Sequence, residues 1–174
     1  SHSAAYALIG FQTAWLKSTY PAPFGAAVLT HTDRAKTVER SAIMNSMTAM
    51  GIDILPPDIN LSSIGTDIID DHTIVLGFTD IKEIGNAGDD IVAERTQNGP
   101  FTSLADLITR VPPLNKTNIT ALIETGCLDS FGPRKGHTVV ASALAAYPDI
   151  EIPDVEWGPI ERWFGQKRRF GLAF

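Results

Sequence analysis

Lys82, Gly85, Asn86 and Ala87 lie in a stretch whose residue types suit one kind of chemistry, the holding of a phosphate. The chain there reads Asp80-Ile81-Lys82-Glu83-Ile84-Gly85-Asn86-Ala87-Gly88 and runs on through Asp89–Arg95. This predicts a short helix, a tight glycine turn and a second helix. Glycine permits a backbone twist that other residues resist. The helix that follows offers N–H groups with no intrahelical acceptor, which suit an anion. Lys82 adds an ammonium. A looser echo comes later, where a helical run from Lys116 to Thr125 breaks at Gly126 and a new run starts near Arg134. Asn115, Lys116 and Asn118 open that second unit.

Two helical pairs with glycine hinges predict a tandem helix-hairpin-helix, a device for gripping a nucleic-acid backbone. The same glycines also fit ordinary helix C-caps. The usual hairpin has two glycines flanking one apolar residue; here Glu83 occupies the first glycine's place. A carboxylate beside a phosphate repels it, so the first hairpin is expected to bind weakly or only to pack. Asp89 and Asp90 read as first-turn acids that complement the helix dipole. They are also the nearest candidates were the hairpin to belong to a repair glycosylase or nuclease.

The totals restrict the partners. At 174 residues the chain can bury one good core, or one core and a small satellite. Its 44% hydrophobic and 20% charged residues are those of a folded soluble protein. No apolar run suits a membrane and no signal peptide is apparent, so a cytoplasmic location is expected. The single Cys127 allows no internal disulfide. A net charge of −6 is unlike that of a free-standing nucleic-acid binder. Basic residues cluster only at Arg134-Lys135 and Lys167-Arg168-Arg169. Weak binding by the isolated chain is expected, within something larger.

Around the hairpins, helical spacing of Tyr6, Ile9, Thr13, Leu16 and Tyr20 predicts a helix over Ser1–Tyr20. Leu8, Phe11 and Trp15 widen its apolar surface, so it should be buried on most sides, as in a segment cut from a longer chain. Pro21 and Pro23 stop it, and a short helix follows at Phe24–Leu29. Asp33 is expected to cap a helix to Met50 with Val38, Ala42, Ile43, Met47 and Met50 turned inward. Ile52–Leu55, Asp67–Ile69 and Thr73–Phe78 predict short strands forming an antiparallel patch. Asp67, Asp70, Asp71 and His72 read as solvated loop residues rather than a metal cluster. Thr102 or Ser103 caps a helix to Arg110, Asn115 caps the next with Ile119, Leu122 and Ile123 inward, and a further helix spans Arg134–Ala146. Asp149–Pro159 reads as an extended linker. The apolar end from Ile160 to Phe174 either folds back onto the helices or opens a further domain. The fold class is thus mainly α with a small antiparallel β patch.

Several runs also resemble the bacterial DNA polymerase III alpha subunit family. They are Ser1-His2-Ser3-Ala4-Ala5-Tyr6-Ala7-Leu8-Ile9 with Phe11–Lys17 and Tyr20-Pro21-Ala22; Met50-Gly51-Ile52 through Leu55-Pro56-Pro57-Asp58-Ile59-Asn60; and Leu76-Gly77-Phe78 with Ile81-Lys82 and Gly85. Gly99-Pro100-Phe101, Leu114-Asn115-Lys116 through Ile123, Gly126, Asp129-Ser130-Phe131-Gly132 and Arg169-Phe170-Gly171-Leu172 continue it. The order and spacing extend over nearly the whole chain. The resemblance implies fingers helices with the small β patch over 1–78, a tandem helix-hairpin-helix domain over 79–147, a linker over 148–160 and, over 161–174, the lead-in to an OB-type domain.

It further implies that Ser1, His2, Ser3 and Tyr6 face the nascent pair and the incoming nucleotide. Lys82, Gly85, Asn86, Ala87, Asn115, Lys116 and Asn118 would contact the backbone of double-stranded primer-template DNA. The parent would be a DNA-directed DNA polymerase, a nucleotidyltransferase using Mg2+ held by palm carboxylates upstream of Ser1. No pair here matches those carboxylates, so no catalytic residue, metal ligand or cofactor is expected in this chain. The rest of the polymerase, its palm and OB-type domain, would be its partner. The glutamine-led clamp-binding peptide of the family has no counterpart in Asp149–Pro159. The alternative is a stand-alone helical interaction module that keeps the scaffold and has lost DNA binding.

Overall fold

The computed structural model describes residues 2–141, 143 and 150–170. Its helices, in chain order, are α1 (His2–Thr19), α2 (Pro21–His31), α3 (Thr37–Ala49), α4 (Ala87–Asn98), α5 (Leu104–Arg110), α6 (Lys116–Thr125), α7 (Arg134–Val140) and α8 (Pro159–Phe170). Strands β1 (Asp53–Leu55), β2 (Asp67–Asp70) and β3 (Thr73–Val75) lie between α3 and α4. The fold is mainly helical with a small sheet, as the sequence predicts. Ser1, and the part of the expected 134–146 helix beyond Ala141, fall outside the described residues apart from Ala143.

The sheet has order β1-β3-β2 and is mixed rather than purely antiparallel. β2 and β3 pair antiparallel around the turn at Asp71-His72, whereas β1 pairs parallel with β3. The reason lies in the connections. A tight turn reverses direction, while the long excursion after Leu55 brings the chain round to run beside β1 in the same sense.

Two apolar clusters form the interior. The smaller joins Ala22, Ala26 and Leu29 of α2 to Met44 and Met47 of α3 and to Ile52, Ile74 and Leu76. α2 begins with Pro21 at its first position, where the missing N–H costs nothing. α3 starts at Thr37, later than Asp33, because Asp33 Oδ1 accepts from the Ala35 N–H (2.8 Å) and so caps a turn ahead of the helix. The buried face of α3 agrees with the expected one only in part: Met47 is buried and Ile43 packs on the cluster, but Arg40 and Met44 are buried as well, while Ala42 is exposed and Val38 is 83% exposed. The helix is turned by Arg40, whose guanidinium donates to Leu29 O (2.7 Å) and to the buried Asp80 carboxylate (2.5 Å).

The larger cluster runs from Ile59 and Phe78 through Ile81, Ile84, Ile91, Leu104, Leu107 and Leu122 to Phe170. Each helix contributes through a recognisable local signal. Ser103 caps α5 by accepting from the Asp106 N–H (3.0 Å), and Asn115 and Asn118 cap α6 reciprocally (3.0 Å each). α8 folds back onto α6, where Gly165 allows close approach; a Cβ there would lie 3.2 Å from Glu124 O. The extended stretch before α8 is itself docked. Ile152 and Trp157 pack on the cluster, and Val155 O accepts from the Gly136 N–H (2.9 Å).

α1 corrects an expectation. None of its residues is buried: Phe11 is 69% and Trp15 51% exposed. It packs on α2, and Lys17 Nζ donates to Ser46 Oγ (2.8 Å). One neighbouring helix cannot cover an apolar surface that wraps most of the way round.

Candidate nucleic-acid interface

The phosphate-suited stretch forms a turn, though not between two regular helices. The expected first helix is a single 3₁₀ turn, Phe78–Asp80, followed by irregular turns to Asn86. Asp80 explains the early stop. Its carboxylate is buried against Arg40 and accepts from the Gly77 N–H (3.0 Å), and Ile81 is already extended (φ −88°, ψ 121°). The second helix, α4, begins at Ala87 and is longer than the expected Asp89–Arg95.

Between them the backbone takes two left-handed residues, Glu83 (φ +68°) and Gly85 (φ +54°), on either side of buried Ile84. Glu83 is the only non-glycine with positive φ among the described residues. That conformation disfavours a Cβ, so the surroundings must hold it. Lys82 N–H donates to Arg169 O (3.1 Å), Asn118 Nδ2 donates to Glu83 O (2.6 Å), and the Glu83 carboxylate pairs with the Arg169 guanidinium. Ile84 anchors the turn in the larger core, and Ala87 N–H closes on Ile84 O (3.1 Å).

Gly85 and Asn86, in contrast, are exposed, and their N–H groups donate to no acceptor among the described residues. Lys82 is half-buried and its ammonium has no ion-pair partner among the described residues. Lys116, in the first turn of α6, is exposed and likewise unpaired. Asp89 and Asp90 stand exposed in the first turn of α4 and oppose an anion there.

The fold therefore brings the two predicted groups together. Residues 82–87 meet 115–118 through Asn118, whose side chain spans from the α6 cap to the turn. Asn118 is 6% exposed and does not present its side chain to solvent; it braces the turn. Ala87 is also buried, whereas Asn115 and Lys116 are exposed. His2, Ser3 and Tyr6 lie on α1, exposed, with the His2 and Tyr6 rings edge to face at 4.6 Å. α1 packs mainly on α2, apart from the hairpin groups.

The second unit is built similarly. α6 ends at left-handed Gly126 (φ +88°), a 3₁₀ turn Asp129–Phe131 follows, and α7 begins at Arg134. The three arginines of the basic clusters are engaged in ion pairs within the protein, Arg134 and Arg169 buried and Arg168 exposed. Arg134 holds Asp129 through two bonds (2.7 and 2.6 Å), Arg168 pairs with Glu124 (2.8 Å), and Arg169 pairs with both Glu124 and Glu83. Burial pushes the Glu124 carboxyl up, and Arg168 pulls it partly back. Among the described residues no group of three His, Cys, Asp or Glu side chains could hold a metal ion. No described helix is long and apolar enough to cross a membrane.

Sequence reasoning missed Arg169, Asn118 as a brace, and Arg95. The Arg95 guanidinium donates to Ile59 O (2.7 Å) and Ser62 O (2.8 Å), fixing the loop beneath α4. Glu83 in a glycine's place was the one local sign that a distant cation was needed.

The family described as "Helix-hairpin-helix motif" matches residues 51–138, half of the chain. The chain belongs to the helix-hairpin-helix motif family. The matched range includes both the turn at 83–86 and the one at 126–133. The chain is also similar to a region of the DNA polymerase III subunit alpha of several bacteria. It is 42% identical to that of Pseudomonas aeruginosa over 136 residues (76% of this chain, 12% of the relative). It is 37% identical to that of Thermus aquaticus over 176 aligned positions (99% and 13%), and 41% identical to that of Escherichia coli over 138 residues (78% and 12%). This helix-hairpin-helix chain thus spans about an eighth of the length of these relatives.

Proposed function

We propose that the chain is the DNA-positioning part of a DNA polymerase III alpha-type polymerase, a DNA-directed DNA polymerase. It holds double-stranded primer-template by its backbone and supplies no catalytic carboxylates. The observation that carries this reading is the exposed turn at Gly85-Asn86, whose N–H groups have no acceptor among the described residues, with Lys82 beside them free of any described ion-pair partner. Main-chain amides and an ammonium meet phosphates without reading bases, so the contact sets register and not sequence. Lys116 at the start of α6 extends the grip to the second unit, with Asn115 beside it. Asn118 serves indirectly by holding Glu83 O. His2, Ser3 and Tyr6, together with Ser1, face the nascent pair in this reading, and Mg2+ belongs to the parent's palm.

The test is fluorescence anisotropy of the 174-residue chain with a labelled primer-template duplex across ionic strength. Binding that weakens linearly in log–log form with added salt, equally for unrelated sequences, supports the reading. A flat response down to low salt supports the second reading, a helical interaction module without DNA affinity. The net charge of −6 and the acids Asp89 and Asp90 favour that alternative.

A further inference from the structure

Arg169 is 86 residues from Glu83 in sequence, yet it makes two contacts with the first hairpin and a third with α6. Its carbonyl oxygen accepts from the Lys82 N–H (3.1 Å), and its guanidinium pairs with the carboxylates of Glu83 and of Glu124 on α6. Its own side chain is 7% exposed, as is that of Glu124, whereas the Glu83 side chain is 55% exposed. Arg168 adds a second cation on Glu124 (2.8 Å). Two carboxylates and two guanidiniums thus balance at the point where α8 meets both hairpin units.

We propose that Arg169 is a positioning residue for DNA binding, a latch through which α8 makes the first hairpin competent for phosphate. The inference rests on the DNA-binding reading above. Glu83 occupies a left-handed position next to the open amides of Gly85 and Asn86. Unneutralised, its charge would repel a phosphate at that turn, and no other described cation pairs with it. Arg169 cancels the charge, draws the carboxylate toward α8, and fixes the Lys82 backbone on the same side. Asn118 holds the carbonyl of the same residue from the α6 side (2.6 Å), so Glu83 is clamped between two helices. Competence of the turn thereby depends on a helix that follows the hairpin domain in the chain.

The variants R169Q, E83G and E83G/R169Q test this in the full 174-residue chain, with circular dichroism to verify folding and duplex anisotropy as the readout. R169Q is expected to bind duplex about tenfold more weakly, the size of one uncompensated charge near the contact. E83G/R169Q is expected to recover most of that loss, because the carboxylate at the turn is gone while Glu124 keeps Arg168 as its partner. E83G alone is expected to bind several-fold more tightly, and glycine suits the left-handed position, so folding is not at risk. Unchanged binding by R169Q, a double variant as weak as R169Q, or E83G binding no better than the parent chain each overturns the latch. Failure of the parent chain to bind at low salt overturns the DNA reading and the latch with it. Binding by the parent with no response to the variants overturns the latch alone.

Discussion

Asn118 Nδ2 donates a 2.6 Å hydrogen bond to the carbonyl oxygen of Glu83, joining the α6 cap to the only left-handed non-glycine residue described in the chain. The same side chain is buried, and its Oδ1 accepts from the Asn115 N–H (3.0 Å). N118A is therefore expected to lower stability by about 2 kcal/mol, from a lost cap contact and an unpaired carbonyl. The shift in urea midpoint at unchanged m-value measures it. Duplex affinity should fall too, although no charge has been altered.

Lys82 is the cation nearest the open amides in sequence and lacks an ion-pair partner among the described residues. In a full polymerase containing this segment, K82E is expected to weaken primer-template binding uniformly across sequences and to reduce the salt slope by about one. A loss confined to particular sequences, or no loss at low salt, would count against backbone contact.

Arg40 and Asp80 form a buried ion pair at 2.5 Å that fixes both the roll of α3 and the end of the 3₁₀ turn. R40M leaves Asp80 buried without its countercharge and is expected to cost about 3–5 kcal/mol. Burial already pushes the Asp80 carboxyl up, against the pull of Arg40. In R40M the rise is larger. The stability gained by protonation is present below the ordinary aspartate value of 3.8 and is lost as pH climbs through the raised folded value. Chemical denaturation at a series of pH values should show R40M recovering part of its deficit toward pH 4.

His137 on α7 is fully buried; among the described residues neither ring nitrogen has a partner in good hydrogen-bond geometry, and the Phe131 backbone is the polar group that acts on the ring. Burial pulls its pKa down, while Asp129 and Glu156 act in the opposite sense. The folded protein thus binds the proton less readily than the unfolded chain. Its contribution to stability is full above the ordinary histidine value of 6.5 and declines as pH falls toward the depressed folded value. Melting temperature should drop between about pH 7 and pH 5, and H137L should flatten that drop. An equal slope in both proteins would place the titration elsewhere.

The sequence by itself determined what local rules govern. Ser103 and Asn115 are helix caps in the structure because a short polar side chain ahead of an apolar run can satisfy a free N–H. Pro21 and Gly126 mark helix boundaries because one lacks an N–H and the other tolerates positive φ. The hairpin stretch was legible for the same reason, as glycine spacing is a backbone property. Tertiary structure decided whatever depended on a partner far along the chain. The roll of α3 was tied to Asp80, forty residues from Arg40, which buries Arg40 beside Met44 and Met47 and leaves Val38 exposed. The direction of β1 followed from the path of a long loop, which carries no pairing signal of its own. The conformation of Glu83 required Asn118 and Arg169, residues 35 and 86 positions distant. Charge pairing and hydrogen bonding act over a few ångströms in space, and a linear reading does not contain those distances until the chain has folded.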